Sequence, residues 1–479
     1  MLEAVHLING LPCPEETVAP IKVINPSTGE PFAEIARGTS DAVNQAVIAA
    51  QSALDNEWGD LEASERGALL LRLSSLTLKN VDYLAELESK DVGKPLKQSR
   101  ADVIACARYF EFYGGAADKI HGQTIPFKKG YTVMTLREPH GVTAHIIPWN
   151  YPMQIIGRSV GASLAMGNAC VVKPGEDASL TSLFIGQLAI EAGFPKGALN
   201  VVTGLGREAG AALAMHPGVQ HISFTGSNEV GTLIQKYAAD NTIPVTLELG
   251  GKSPQLVFAD ADLDKALPFL VNASIQNAGQ TCSCGSRILI EDSIYDEVVE
   301  RVAEEFGKLK VGPANQDIDV GPVINAKQRD RVNAFIAKAK ADGLPVLATA
   351  KLDTKVVSSG YYVQPTFFGD VPPNHPLAQE EVFGPVLAAI RFKDEREALE
   401  IANGTPYGLV AGVWTRDGSR QLRLAHKIEA GQVFINNYGA AGGVELPFGG
   451  VKGSGHGREK GFEALYGFSA PKTVALKHD

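Results

Sequence analysis

The segment Gly279-Gln280-Thr281-Cys282-Ser283-Cys284-Gly285 carries residue types from which covalent catalysis can be built. Its glycines permit close backbone approach, and the N–H groups of such a loop can serve an oxyanion. A lone cysteine is more often inert packing than a nucleophile, so Cys282 needs partners to mean more. One candidate is Glu248, in the apolar run Val245-Thr246-Leu247-Glu248-Leu249-Gly250-Gly251-Lys252. Either it pairs with a nearby lysine, or apolar surroundings raise its pKa and make it a general base. Another is Asn150, in Ile146-Ile147-Pro148-Trp149-Asn150-Tyr151-Pro152, which sets a side-chain amide at a strand end; turn formation alone also accounts for it. Phe224-Thr225-Gly226-Ser227-Asn228-Glu229-Val230-Gly231 is a Gly-x4-Gly turn opening a helix, suited to a pyrophosphate at the helix N-terminus. It is not the Gly-x-Gly-x-x-Gly fingerprint. Gly204-Leu205-Gly206 misses that too, since the next glycine is Gly210.

These residues fall where an alternating chain would put them. Short apolar runs at Val142–Ile147, Ala169–Val172, Leu199–Val202, His221–Phe224 and Val245–Leu249 read as strands. Helical patterning between them, at Ser179–Ala192 and Asn228–Ala239 for example, predicts a parallel, helix-flanked sheet. Ligands of such sheets sit outside the carboxyl ends of the strands. Those ends carry Trp149-Asn150, Lys173-Pro174, Gly204-Leu205-Gly206, Thr225-Gly226-Ser227 and Glu248. A second alternating unit starts near Ser253: strand Gln255–Phe258, helix Leu263–Asn277, strand Ile288–Ile290, then helices Ile294–Leu309 and Ala326–Ala341. Later strands are expected at Leu409–Trp414, Val433–Asn436 and Thr473–Lys477. Before the first sheet the chain reads as helical: a helix capped by Asp41, one stretch over Glu62–Ser89, and another over Arg100–Ala117. The polar, β-like Lys128–Leu136 and the C-terminal strand could form a small oligomerisation arm.

The chain has 479 residues, too many for one core, so two or three domains are expected. Hydrophobic residues make up 44% and charged residues 20%, the balance of a soluble globular protein. A net charge of −10 without a basic run argues against a nucleic-acid partner. There is no apolar run of membrane-spanning length and no signal-peptide pattern. Five scattered cysteines fit a reducing cytoplasm better than a disulfide scaffold, and no His/Cys spacing suggests a structural metal.

Taken together the segments resemble the aldehyde dehydrogenase superfamily. The matching pieces are Pro-Trp-Asn at 148–150, Lys-Pro at 173–174, Phe-Thr-Gly-Ser at 224–227, Glu-Leu-Gly-Gly-Lys at 248–252, Gly-Gln-Thr-Cys at 279–282, Glu-Glu-Val-Phe-Gly-Pro at 380–385 and Pro-Phe-Gly-Gly at 447–450. They stand in the family's order and span essentially the whole chain. The resemblance implies an α/β fold in three parts. A Rossmann-type NAD-binding domain would comprise 1–120 and 140–250, and a catalytic α/β domain 251–464, its last part returning towards the cofactor domain. The β arm, 121–139 and 465–479, would build homodimers or homotetramers. It implies Cys282 as nucleophile, Asn150 and the Cys282 N–H as oxyanion donors, and Glu248 as the base that hydrolyses the thioester left after hydride transfer. Trp149, Lys173, Glu176, Gly226, Ser227, Gly231, Glu381 and Phe383 would hold the cofactor. Glu176 favours NAD, with NADP as the alternative, because a carboxylate at the ribose repels a 2′-phosphate. Glu248 disfavours transfer to coenzyme A, since acylating relatives lack this base; a non-catalytic member would be expected to lose Cys282, Glu248 or Asn150.

The aldehyde is narrowed by Arg158, eight residues past Asn150 on the following helix. Semialdehyde and benzaldehyde- or salicylaldehyde-type enzymes are similar in carrying Arg there. A cation in the tunnel would suit a carboxylate or phenolate, with Phe448 as a second substrate residue; the competing expectation is an Arg turned outward into a salt bridge. Cys282-Ser283-Cys284 also resembles succinic semialdehyde dehydrogenases, in which the second cysteine, here Cys284, can close a disulfide with the first. The pattern departs at Gln276, where those enzymes have a second Arg, and at Gly443, where they have a hydroxyl.

Overall fold

The computed structural model describes residues 2–316, 318–352 and 359–478. Strands β1 (Val142–Ile147), β2 (Ala169–Pro174), β3 (Leu199–Val201), β4 (His221–Thr225) and β5 (Val245–Glu248) pair in parallel, in the order β5-β4-β1-β2-β3. Nearly every residue in them is buried, as a parallel sheet covered on both faces requires. The chain starts in the middle with β1, builds outward through β2 and β3, then returns to place β4 on the other side of β1. That reversal opens a crevice at the carboxyl ends of β1 and β4, the usual ligand position in such sheets. His6–Ile8 extends the sheet beyond β3, and Gly455–His456 pairs with β5 on the opposite edge.

A second sheet repeats the plan. Strands β6 (Pro254–Val257), β7 (Arg287–Glu291), β8 (Val346–Thr349), β9 (Thr366–Phe368), β10 (Val386–Phe392), β11 (Val410–Trp414) and β12 (Gln432–Ile435) run in the order β8-β9-β10-β7-β6-β11-β12. All neighbours are parallel except β8 with β9. Each sheet has its own apolar core. One gathers Val142, Val171, Ile222 and Leu247 with helices from the first third of the chain; the other gathers Leu256, Ile288, Leu289, Ile390 and Val413. Tyr131–Pro139 and Ser469–Lys477 form a long antiparallel pair, joined by Thr124–Ile125.

Several local expectations need correction. The first helix is capped by Thr39, whose hydroxyl accepts from the Ala42 N–H, and Asp41 lies inside its first turn. The stretch expected as one helix over 62–89 is two, Ala63–Lys79 and Val81–Val92. Asn80 parts them by turning its amide back onto the Leu76 carbonyl at 2.9 Å, the kind of local side-chain bond that competes with helix propagation. The helix before the cysteine loop stops at Ile275, not 277. The buried strand β10, absent from the sequence reading, stands at the heart of the second sheet.

Candidate functional site

The crevice between the two sheets is a cavity of about 1860 Å³. That exceeds what a single small ligand fills, and it suits a dinucleotide beside a substrate tunnel. Asn150, Glu248 and Cys282 all line it, as do Trp149, Arg158, Glu176, Gly226, Ser227, Glu381, Phe383 and Phe448.

Cys282 is presented by an unusual piece of backbone. Asn277, Ala278 and Gly279 are successive residues at positive φ, of 49°, 53° and 72°. Two of them are not glycine, a strained geometry that persists only where surroundings impose it. The Asn277 amide donates to the Asn150 carbonyl at 3.0 Å, and the Asn150 amide donates to the Gln280 carbonyl at 3.0 Å. The Gln280 side chain in turn accepts from the Ile324 N–H at 2.9 Å. The end of β1 and the cysteine loop are therefore tied together from both sides. One Asn150 N–H is used in this bond, leaving the second for a ligand. Burial pushes the Cys282 thiol up to about 11, the Arg158 charge only partly offsetting it. The resting side chain is a thiol that must lose its proton to react.

Glu248 ends β5 and is 1% exposed, and neither of its oxygens has a hydrogen-bond partner among the described residues. Burial and the Glu459 carboxylate raise its pKa well above the ordinary value, against Arg158, Arg458 and Lys460. An unpartnered carboxyl at a cavity wall, its proton affinity raised by burial, has in its ionised form the properties of a general base.

At the other end of the cavity, Ser227 caps the helix Asn228–Asp240, its hydroxyl accepting from the Val230 N–H at 3.4 Å. The free N–H groups of that first turn are of the kind that suits an anion. The ammonium of Lys173, itself almost wholly buried, pairs with Glu176 at 3.1 Å. A Cβ added to Gly206 would stand 3.9 Å from the Glu176 carboxylate and 4.0 Å from the Lys173 ammonium, so bare backbone keeps the ground beside this pair open. Trp149 and Phe383 meet edge to face at 5.5 Å. The Glu381 carboxylate accepts from the Gly251 N–H at 2.9 Å, and burial lifts it to about 7. A helix N-terminus, a half-buried aromatic wall and two carboxylates able to accept sugar hydroxyls fit an adenine dinucleotide. Gly231 does not join them: a Cβ there would meet Leu249 at 2.5 Å, so its smallness serves helix-on-strand packing.

Arg158 is where the structure departs most from expectation. It lies in a π-wound turn, Ile156–Val160, between the short helices Pro152–Ile155 and Gly161–Ala165. Such turns are frequent at functional sites. Its side chain is 6% exposed and makes an ion pair with Glu459, which is fully buried and also accepts from the Ser223 hydroxyl at 2.8 Å. The guanidinium lies 5.0 Å from the Phe448 ring centroid. Arg158 thus borders the tunnel but neither turns outward nor carries an uncompensated charge. Sequence reasoning missed Glu459 altogether. The only signal was a charged triplet, Arg458-Glu459-Lys460, set between Gly457 and Gly461 shortly after Pro-Phe-Gly-Gly.

Around the Cys282 thiol, Leu409, Val410, Phe434, Tyr438 and Phe448 make an apolar, largely aromatic cage. Cys284 points elsewhere: its thiol lies 3.8 Å from the Ser274 carbonyl, outside the cavity, and burial pushes it up to about 12. Both cysteines are free thiols.

Comparison with known proteins accords with this geometry. The profile of the "Aldehyde dehydrogenase family" matches residues 14–474. An aldehyde dehydrogenase of Emericella nidulans is 43% identical over 458 residues, covering 95% of this chain and 91% of that protein. The crystal structure of a putative aldehyde dehydrogenase from Burkholderia cenocepacia superposes with a TM-score of 0.99 at 62% identity, covering 99% and 100% of the two chains. A variant of the P. syringae indole-3-acetaldehyde dehydrogenase AldA, in complex with NAD+ and IAA, superposes at 0.97 with 37% identity, covering 100% and 97%. A two-sheet fold, a cysteine, a carboxyl and an amide on one cavity wall, and a full-length match lead to one conclusion: the chain belongs to the aldehyde dehydrogenase family.

Proposed function

We propose that this protein oxidises an aldehyde to a carboxylic acid with NAD, through a thioester on Cys282, and that its substrate is an aromatic or carboxylate-bearing aldehyde. The observation that carries the reaction is the convergence of Cys282, Glu248 and Asn150 on one cavity with the dinucleotide-suited crevice. Glu248, directly or through a water, takes the proton that the half-buried thiol must lose. The thiolate attacks the carbonyl carbon, and the oxygen of the resulting thiohemiacetal is met by the free Asn150 N–H and the Cys282 backbone N–H. Bound NAD supplies the hydride acceptor. Glu248 then removes a proton from the water that hydrolyses the thioester, which releases the acid and restores the thiol. Ser227, Trp149, Lys173, Glu176, Glu381 and Phe383 would hold the cofactor, with Glu176 favouring NAD over NADP. The aromatic cage around Cys282 supports an aryl substrate, and the presence of Glu248 supports hydrolysis rather than transfer to coenzyme A.

The division at about residue 250 into a cofactor-binding and a catalytic unit is part of the same reading, supported by the two separate cores. So is an oligomer built through the arm, where Ile125, Phe127, Tyr131, Leu136 and Leu476 are exposed. Among the described residues no helix is long and apolar enough to cross a membrane, and with five free thiols this supports a cytoplasmic site.

NADH formation from benzaldehyde, with and without coenzyme A, tests the reading. Cys282→Ala should fall by at least about 1000-fold, since nothing else in the cavity replaces the nucleophile. Glu248→Gln should lower steady turnover by about 100-fold or more, because it removes the base for both the thiol and the hydrolytic water. Unchanged steady turnover in either variant would overturn the assignment.

A further inference from the structure

Residues 448 and 459 bridge reciprocally: the Phe448 N–H donates to the Glu459 carbonyl at 2.6 Å, and the Glu459 N–H to the Phe448 carbonyl at 2.7 Å. The bridge carries the next residue, Lys460, onto the wall of the tunnel. Its ammonium lies 5.2 Å from the Phe448 ring centroid and 5.9 Å from that of Tyr109. Lys460 is held at a φ of +61°, costly for a residue with a Cβ and typical of positions where function fixes the backbone. No carboxylate among the described residues pairs with it. The nearest candidate is its neighbour Glu459, whose carboxylate is already taken by Arg158 and by the Ser223 hydroxyl. Glu248 faces the same space, but neither of its oxygens has a hydrogen-bond partner among the described residues, so it does not engage the ammonium. Arg158 and Glu459 are paired with each other, so Lys460 gives the tunnel around Cys282 one ammonium that no carboxylate among the described residues contacts.

We propose that Lys460 selects the substrate by pairing its ammonium with an anionic substituent, a carboxylate or phenolate, on the far side of the aldehyde from the reacting carbonyl. The inference rests on the aldehyde-oxidising reading above and moves the anion-recognising role from Arg158 to Lys460. Burial and the Arg158 charge pull the ammonium down to about 8, so it is still mainly charged at pH 7, and a bound anion would hold its proton more firmly. The ammonium is half-buried beside two aromatic rings, and partial withdrawal from water strengthens any charge-assisted bond it makes.

The test is the ratio of kcat/KM for terephthalaldehydic acid to that for benzaldehyde, in wild type, Lys460→Met and Lys460→Arg. Lys460→Met should lower this ratio by about 10- to 100-fold, chiefly through KM for the charged aldehyde. Lys460→Arg should keep most of it. A ratio within threefold of wild type in Lys460→Met, or a parallel fall for both aldehydes, overturns the proposal, the second outcome showing that Lys460 serves the chemistry or the fold. Benzaldehyde turnover by wild type stands apart as the measure of the general reading. Should neither aldehyde react, terephthalate binding by calorimetry to Cys282→Ala, with and without Lys460→Met, still decides. Equal affinities overturn the assignment, and a loss of about tenfold or more confirms the anion site.

Discussion

Breaking the Arg158–Glu459 pair from its two ends should have unequal consequences, because only one partner can escape its charge. The pair is buried, at 6% and 0% exposure, so water does little to screen what is left behind. Glu459→Gln strands a guanidinium, which keeps its proton at any pH a protein tolerates. Its cost should lie at about 3–5 kcal/mol and be flat with pH. Arg158→Met strands a carboxylate, which can take up a proton. A buried carboxyl that has lost its paired guanidinium, with only the half-buried Lys460 ammonium beside it, is easier to protonate than in the unfolded chain, so stability falls as pH rises past about 4.3. The slope is about 1.4 kcal/mol per pH unit, so the part of the cost that comes from the stranded charge is at most about 1 kcal/mol at pH 5 and about 4 kcal/mol at pH 7. The double variant, with neither charge, should recover most of the loss.

Hydrogen exchange of the β1 and β4 amides, measured by mass spectrometry at both pH values, reads the local stability in question. Equal cost of Arg158→Met at pH 5 and pH 7 would refute the reasoning. So would a Glu459→Gln cost below about 1 kcal/mol, since a buried pair cannot be opened that cheaply. The same pairing fixes a kinetic expectation. The Arg158 charge is already matched, so Arg158→Met should change kcat/KM for benzaldehyde and terephthalaldehydic acid by similar factors, in contrast to Lys460→Met.

Two further outcomes follow from the cofactor end and from the cysteine loop. Burial lifts the Glu381 carboxyl to about 7, so the folded state holds a proton that the unfolded chain has already lost, and stability drains away as pH rises from about 4.5 through 7. Glu381→Gln removes that penalty. It should stabilise the protein by about 2 kcal/mol at pH 8 and by almost nothing at pH 4.5, the half-buried carboxyl keeping part of its hydration, while KM for NAD rises; thermal unfolding at the two pH values checks it. In Gly279→Ala the new Cβ would stand 2.2 Å from the Gly384 carbonyl oxygen, at a φ of +72°. A cost of about 2–4 kcal/mol and a collapse of kcat are expected, and a fully active, equally stable variant would show that the loop is not held as described.

What the sequence made legible and what it hid divide along a physical line. Strand β1 is announced by its own composition, because a strand buried on both faces must be apolar throughout, and the residues just past such strands follow from it. Asn150 and Glu248 were found that way, and the Gly-x4-Gly turn after β4 led to Ser227. Strand β10 has the same apolar signature, Val386-Leu387-Ala388-Ala389-Ile390, yet it follows a motif rich in Pro and Gly that reads as loop. Where a local bond competes with a propensity, as the Asn80 amide does on the Leu76 carbonyl, patterning gives one helix and the chain makes two. The Arg158–Glu459 pair was hidden for a different reason. Its partners are some 300 residues apart, and a charged triplet between glycines has the composition of a solvated turn. What turns that triplet inward is the reciprocal backbone bridge between Phe448 and Glu459, a tertiary fact with no local signature. The bridge delivers two charges together: Glu459 neutralises Arg158, and Lys460, one position on, faces the tunnel in its place. The cation that sequence position assigns to the substrate is thus used up within the fold, and the one left for the substrate comes from a loop that a composition argument would send to the surface.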